Sequence, residues 1–227
     1  MSKSNPTPEK PCRKYIEYKG DKGTFFYYDT DLREQVELSL PIYFIWLDEL
    51  STITGYSKEH KCGIYSNEVR KTTTDILKVK TFKGGESVTG LYADIKGAIT
   101  VMGGKFTRSV YAMLIEEGKP GELVNFRFHG AAFAAWMNKK FNPDKFIIGI
   151  TGFTEATTGN VTYKVPVFAQ YNLKPELNQA AIALDKDLQA YLNVIPEEAE
   201  VKAEAEEEAE AVELPPVTPA GIDDLPF

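Results

Sequence analysis

Apolar and polar residues alternate along much of the chain between residues 15 and 170, which predicts a mainly β protein. Residues 36–46 form the longest such run, and Pro41 inside it indicates a bulge or an exposed edge strand. Residues 51–71 are polar, contain Gly55 and Gly63, and are expected to form a loop. Shorter runs predict a hairpin at 15–28 and strands at 76–82, 88–95, 106–115, 123–129, 145–153 and 161–170.

Two segments depart from the alternation and favour helices. Residues 131–141 are rich in alanine, carry Lys139 and Lys140 at the negative end of the helix dipole, and are stopped by Asn142-Pro143. Residues 175–195 have apolar side chains three and four positions apart, which is the spacing of one buried helix face. We expect this second helix to pack against the β body, because the pattern is too short for a coiled coil.

Between residues 106 and 170 the predicted elements follow the order strand, strand, helix, strand, strand. A Greek-key barrel of the oligonucleotide/oligosaccharide-binding (OB) type also has a helix between its third and fourth strands. We therefore expect an OB-fold-like barrel with N-terminal β elaborations, one helix within the barrel and one C-terminal helix.

Charge is divided unevenly along the chain. Residues 197–227 contain eleven carboxylates and only Lys202 as a base, a net charge of −10, whereas the whole chain carries −7. Residues 1–196 therefore carry +3, which describes a mildly basic body with an acidic tail. Closely spaced glutamates repel one another in a helix, and Pro215, Pro216 and Pro219 interrupt it. We expect the linker at 196–220 to be disordered.

The sequence lacks the usual patterns of catalytic and metal sites. Its only histidines are His60 and His129, its only cysteines are Cys12 and Cys62, and they do not form the paired clusters of a zinc site. The glycine-rich stretch at 97–106 lacks the spacing of a phosphate-binding loop. No apolar run is long enough to cross a membrane. We therefore expect a cytoplasmic protein that is not an enzyme and has no cofactor and no bound metal.

Aromatic and basic residues are interleaved on several strands and loops, a mixture suited to single-stranded nucleic acid. Aromatic rings stack on bases, while lysine and arginine contact phosphates. The strongest local case is one strand face with Lys78, Lys80 and Phe82, since a large exposed ring beside two lysines is unusual on a solvated face. The candidate contacts are Tyr43, Tyr56, Lys58, Lys61, Tyr65, Arg70, Lys71, Lys78, Lys80, Phe82, Arg108, Tyr111 and Arg127.

The last seven residues of the sequence, 221–227, combine two carboxylates with Leu225, Pro226 and Phe227. A phenylalanine gains little at an exposed chain end, whereas a pocket on another protein could take both its ring and its carboxylate. The stretch Asp223-Asp224-Leu225-Pro226-Phe227 resembles the acidic tip of the single-stranded-DNA-binding proteins of bacteria and their phages. In that family the tip recruits replication and repair enzymes. The resemblance therefore implies partner-binding roles for these five residues.

The same resemblance implies a protein that coats single-stranded DNA without sequence preference in replication, recombination and repair. Its expected partners are single-stranded DNA and enzymes of the polymerase, helicase, primase or nuclease type, and a divergent phage version acting in the bacterial cytoplasm fits best. The expected organisation is a flexible arm at 1–12, a DNA-binding domain at 13–175, a docked amphipathic helix at 176–195, the linker and the tip. Two alternatives stay open, a strand-annealing recombination protein and a β-rich phage structural or assembly protein. The oligomeric state is also open.

Overall fold

The structure is a computed structural model that describes residues 10–85, 87–119, 121–142 and 145–193. In these ranges the chain is mainly β, as the alternation predicts, with eleven strands and three helices. In chain order the elements are β1 (Lys14–Lys19), β2 (Thr24–Asp29), β3 (Glu34–Leu38), β4 (Ile42–Ser57), β5 (Cys62–Ser66), β6 (Leu77–Thr81), β7 (Ser87–Gly90), α1 (Tyr92–Met102), β8 (Gly104–Ile115), β9 (Glu122–Phe128), α2 (Gly130–Met137), β10 (Phe146–Thr158), β11 (Val161–Asn172) and α3 (Pro175–Leu192).

The chain divides into two compact units, each assembled from separate stretches of sequence. The body unit contains Cys12–Asp48 and Val110–Lys186. The insert unit contains Glu49–Ser109 together with the described residues 10–11 and 187–193. Three elements, β4, β8 and α3, contribute residues to both units.

The body unit is a mixed sheet. Its strands follow the order β3-β2-β1-β9-β8-β4, and β10 pairs with β4 on one side and with β11 on the other. The β1–β9 pair is parallel, whereas the β1–β2, β2–β3, β4–β10 and β10–β11 pairs are antiparallel. Helix α2 follows β9 and precedes β10, and it packs Ala132 and Trp136 into the core.

Alternating side chains of the body strands build an aromatic core. Val124, Phe126 and Phe128 of β9 all belong to the buried cluster. The ring of Phe128 lies 5.2 Å from that of Trp136 and 5.8 Å from that of Phe168, measured between centroids. Aromatic side chains bury more surface than any others, so these contacts contribute a large share of the stability of the unit.

The part of α3 that belongs to the body unit packs against the face of the sheet opposite to the aromatic core. Ala181 of α3 is buried together with Ile45 of β4 and Met113 of β8, and Leu177 and Leu184 lie against the same cluster. The three- and four-residue spacing in the sequence predicts this contact. None of the described helices is both long and apolar enough to cross a membrane.

The insert unit is an antiparallel meander with α1 packed on one face. β4 pairs with β5, β5 with β6, and β6 with β7. Gly55 lies where the end of α1 meets β4, and a Cβ atom there would clash with the backbone oxygen of Gly103, which itself has a φ of 96°. The buried cluster between sheet and helix consists of Ile53, Ile64, Val69, Leu77, Val79, Ile95, Ile99 and Met102.

Helix α1 corrects the expectation of a strand at 88–95. Only Ser87–Gly90 is a strand, and Tyr92–Met102 is helical. Ile95, Ile99 and Met102 are four and three residues apart and all face the sheet. The isoleucine, threonine and valine of this segment favour strands by local preference, and burial of the helical stripe outweighs that preference.

Two other expectations are wrong in part. The single strand expected at 36–46 is two strands, β3 and β4, on either side of the cis peptide bond between Leu40 and Pro41. Pro41 has no backbone N–H with which to continue a ladder. The loop expected at 51–71 contains the second half of β4 and all of β5. Its polar residues fit inside the sheet because they bond to each other, as the hydroxyls of Thr52 and Ser66 do at 3.1 Å.

Several expectations concern residues outside those that the structure describes. They are most of the arm at 1–12, the linker at 196–220, and the tip with Asp223, Asp224, Leu225, Pro226 and Phe227.

Candidate nucleic-acid interface

One face of the insert sheet carries the strongest of the predicted contacts. Tyr65 of β5 stands directly opposite Lys80 of β6, and Lys78 stands opposite Thr89 of β7. Residues paired across strands, and residues two apart along a strand, project from the same side of a sheet. We call this side the front face and define it by Tyr56, Tyr65, Lys78, Lys80 and Phe82.

The front face is the side of the insert sheet that α1 does not cover. Leu77 and Val79 alternate with the two lysines along β6, and both are buried in the cluster beneath α1. Lys80 is exposed and Lys78 is half-buried. The alternation that buries the apolar residues therefore presents the lysines to solvent.

Two aromatic residues flank Gly63 on the front face. Tyr56 pairs with Gly63 from β4, and the backbone N–H of Phe82 donates to the Gly63 carbonyl at 2.9 Å from the other side. Tyr56 is 43% exposed. Phe82 is half-buried and packs against Tyr65, which is itself only 8% exposed. Tyr56 and Phe82 thus offer ring surface to solvent, while Tyr65 supports Phe82.

Three lysines lie at one end of the front-face strands. Lys58 and Lys61 are exposed in the turn between β4 and β5, and Lys83 is exposed in the turn after β6. The two turns are neighbours, because a Cβ atom at Gly85 would lie 3.1 Å from ring atoms of His60. Sequence reasoning missed Lys83, although it directly follows Phe82 and precedes a Gly-Gly pair typical of a turn.

Arg70 and Lys71 lie at the opposite end of β5, in the loop that leads to β6. Their backbone N–H groups donate to the Asp75 carboxylate at 3.1 and 2.9 Å. The hydrogen bond from Lys71, and after it that from the Thr74 hydroxyl, holds the pKa of Asp75 below its ordinary value. The Arg70 guanidinium donates to Gln189 at 3.2 Å. These two residues are therefore not grouped with Lys58 and Lys61.

Arg108 projects from the other side of the insert sheet. Its Nη1 donates to the Ser51 hydroxyl at 2.9 Å, and its guanidinium carbon lies 6.0 Å from the centroid of Phe106. Phe106 packs against the cluster beneath α1. Arg108 thus lies on the α1 side and does not join the front face.

The remaining three predicted contacts, Tyr43, Tyr111 and Arg127, belong to the body unit. Tyr111 is 1% exposed, so its ring has no free face for a base. Arg127 is 6% exposed, with its guanidinium 4.3 Å from the centroid of Tyr15 and 3.6 Å from the carboxylate of Glu17. Because Tyr111 and Arg127 are both buried, we do not expect either side chain to contact nucleic acid directly. Tyr43 is half-buried beside Tyr171.

Potential metal-ligating and thiol side chains are few and scattered among the described residues. No group of three or more histidine, cysteine or acidic side chains in the described ranges is placed to hold a metal ion. Cys12 and Cys62 are both buried free thiols. What the front face offers is ring surface and positive charge, which serves binding.

Comparisons of the chain with protein-family models, with curated proteins and with solved structures give no match.

Proposed function

We propose that the protein binds single-stranded DNA without sequence preference through the front face of the insert unit. The observation that carries the proposal is the grouping of Tyr56, Phe82, Lys78 and Lys80 on the side of the insert sheet that α1 does not cover. Every base has an aromatic face, so ring stacking is tolerant of sequence, and lysines attract the phosphates. A duplex keeps its bases stacked inside and cannot use the rings in this way.

The order of the body elements supports the proposal. Strands β4, β8, β9, β10 and β11, with α2 between the third and fourth of them, follow the order of an OB fold. Three strand pairs support this proposed order, since β4 is the neighbour of both β8 and β10, and β11 pairs with β10. The parallel pairing of β1 with β9 departs from a simple OB barrel.

In this proposed arrangement the insert unit occupies the connection between the first and second barrel strands. That connection, the one between strands four and five, and the face of strands two and three are where OB folds bind oligonucleotides. The front face thus lies within a connection that serves binding in this type of fold.

The tail extends the proposal to protein partners. We propose that the residues Asp223 to Phe227 recruit replication or repair enzymes, on the strength of the resemblance stated above. Deleting Phe227 is expected to abolish capture of such an enzyme while leaving the affinity for oligothymidylate unchanged. Partner capture that survives the deletion would contradict the assignment of the tip.

The experiment that tests the proposed function is a titration of labelled oligothymidylate followed by fluorescence anisotropy. A label is needed because Trp136 is buried and the ring of Trp46 lies 5.6 Å from it in the same core, so tryptophan emission does not report stacking directly. The variant Tyr56→Ala/Phe82→Ala should weaken binding by roughly 5- to 150-fold for each lost stack.

The matched control for that variant is Tyr28→Ala, which removes a half-buried tyrosine from β2 of the body unit. It should bind oligothymidylate as the wild type does. Absence of binding by the wild-type protein would overturn the proposed function. Equal binding by all three proteins would place the contact away from the front face.

A further inference from the structure

Four lysines of the body unit are grouped at one end of the β10–β11 hairpin. Lys139 and Lys140 follow α2, Lys145 precedes β10, and Lys174 follows β11. All four are exposed. The ion pairs and hydrogen bonds among the described residues do not involve their side chains.

The backbone holds these lysines at the same end of the hairpin. The N–H of Leu173 donates to the carbonyl of Lys145 at 3.0 Å, which continues the β10–β11 ladder. The loop that carries Lys139 and Lys140 is fixed by Phe141, whose ring lies 4.8 Å from Trp136 and 5.9 Å from Phe168 of β11. The position of the lysines therefore follows from packing in the core.

An aromatic pair lies at the same end of the hairpin, where Tyr171 is three residues before Lys174. Tyr171 is 42% exposed, and its ring is 5.4 Å from that of Tyr43 in an edge-on contact. Gly149 makes this contact possible, because a Cβ atom there would lie 2.9 Å from the Tyr171 ring and 3.0 Å from the Tyr43 ring. Partial burial, and then Tyr43, raise the pKa of Tyr171 above its ordinary value.

Tyr171 and Lys145 project from the same side of the hairpin. Tyr171 stands opposite Ile147, and Lys145 is two residues before Ile147. We call the surface formed by Lys139, Lys140, Lys145, Lys174 and Tyr171 the lysine rim. Two carboxylates neighbour these lysines in the sequence: Asp144 directly precedes Lys145, and Glu176, in the first turn of α3, follows Lys174 by two residues.

We propose that the lysine rim is a second contact surface for single-stranded DNA, with the four lysines facing phosphates and the ring of Tyr171 stacking on a base. The inference rests on the proposed function and adds a surface on the other unit. Charge complementarity argues for a polyanion, and the exposed ring at the same end of the hairpin argues for a strand with accessible bases. An acidic peptide would use the charge and leave the ring without a partner.

The test compares two variants that each remove four positive charges. The rim variant is Lys139→Gln/Lys140→Gln/Lys145→Gln/Lys174→Gln, and the control is Lys22→Gln/Arg33→Gln/Lys119→Gln/Lys186→Gln, which alters exposed bases elsewhere in the body unit. Binding of oligothymidylate is measured over a salt series. Each phosphate contact on a single strand contributes about 0.7 to the slope of log affinity against log salt. The rim variant should lower that slope by up to about 3, and the control should leave it near the wild-type value.

Tyr171→Ala tests the stacking part of the inference. It should weaken binding of oligothymidylate by roughly 5-fold or more and leave binding of a DNA duplex unchanged. Equal losses for the single strand and the duplex would overturn stacking at Tyr171. A wild-type protein that binds, together with a rim variant of unchanged affinity and slope, would overturn the lysine rim while leaving the proposed function in place. Failure of the wild type to bind would instead remove the proposed function.

Discussion

Strands β6 and β9 have similar sequence patterns, but their basic residues differ in exposure to solvent. β6 alternates Leu77 and Val79 with Lys78 and Lys80, and β9 alternates phenylalanines with Asn125 and Arg127. Lys80 is exposed, whereas Arg127 is 6% exposed. The difference is that α1 covers one side of β6 only, while every residue of β9 after Glu122 is buried, on both faces of the strand. A basic residue that alternates with apolar ones is thus a binding candidate only where one face of the strand stays uncovered.

The aromatic residues of the two units repeat this contrast. In the body unit the rings of Phe126, Phe128 and Trp136 pack on one another and stabilise the core. In the insert unit Tyr56 is exposed, and the half-buried Phe82 packs against Tyr65. Body aromatics should therefore determine the stability of the fold, and front-face aromatics should determine binding.

The largest expected effect is a loss of stability when a core ring of the body unit is removed. Phe128→Ala removes a ring that contacts Trp136 and Phe168 and should lower the free energy of unfolding by about 3–5 kcal/mol. Chemical denaturation followed by far-UV circular dichroism measures it. Tyr56→Ala is the counterpart and should change stability far less. A comparable loss for both variants would mean that Tyr56 is part of a core.

A smaller effect tests the charge of the front face. Lys78→Gln/Lys80→Gln should reduce the slope of log affinity against log salt for oligothymidylate by about 1.4, because two phosphate contacts are lost. Lys119→Gln/Lys186→Gln removes the same charge from exposed positions of the body unit and serves as the control. Equal slopes for the two variants would show that only the total charge matters.

The smallest effect concerns the loop with Arg70 and Lys71, at the far end of β5 from Lys58. The pKa of Asp75 is lowered from 3.8, so the stabilising contribution of its carboxylate is present above that pH. The contribution is lost as the pH falls through the lower folded-state pKa. The amide signal of Lys71 in NMR spectra should titrate with a midpoint below 3.8 and should stop titrating in Asp75→Asn. A midpoint above 3.8 would contradict the hydrogen bonds at this carboxylate.

The strands of the body unit follow from the alternation in the sequence because each has one face in an aromatic core. α2 follows from its alanine-rich composition, although it ends at Met137, before the two lysines expected in its last turn, and α3 follows from its apolar spacing. The helix α1 did not, because Ile95, Ile99 and Met102 lie among residues that favour strands locally. Its position defines the front face, since the helix buries one side of the insert sheet and the front face is the other side.

Some of the candidate contacts could be predicted from the alternation along the strands. Period-two spacing places Lys78, Lys80 and Phe82 together, whatever packs on the other side of the sheet. This spacing does not predict that Tyr111 is buried, because its burial depends on what covers the sheet. Tyr171 and the four lysines come from three separate segments, which the pairing of β10 with β11 and the packing of Phe141 bring to one end of the hairpin.

The central claim is that bases stack on the front face, and photo-cross-linking tests it most directly. An oligothymidylate carrying iododeoxyuridine is irradiated in complex with the full-length protein, and the linked peptides are identified by mass spectrometry. Links at Tyr56 or Phe82 are predicted, and they should disappear in Tyr56→Ala/Phe82→Ala. Efficient cross-linking with no link to Tyr56, Tyr65 or Phe82 would contradict the claim.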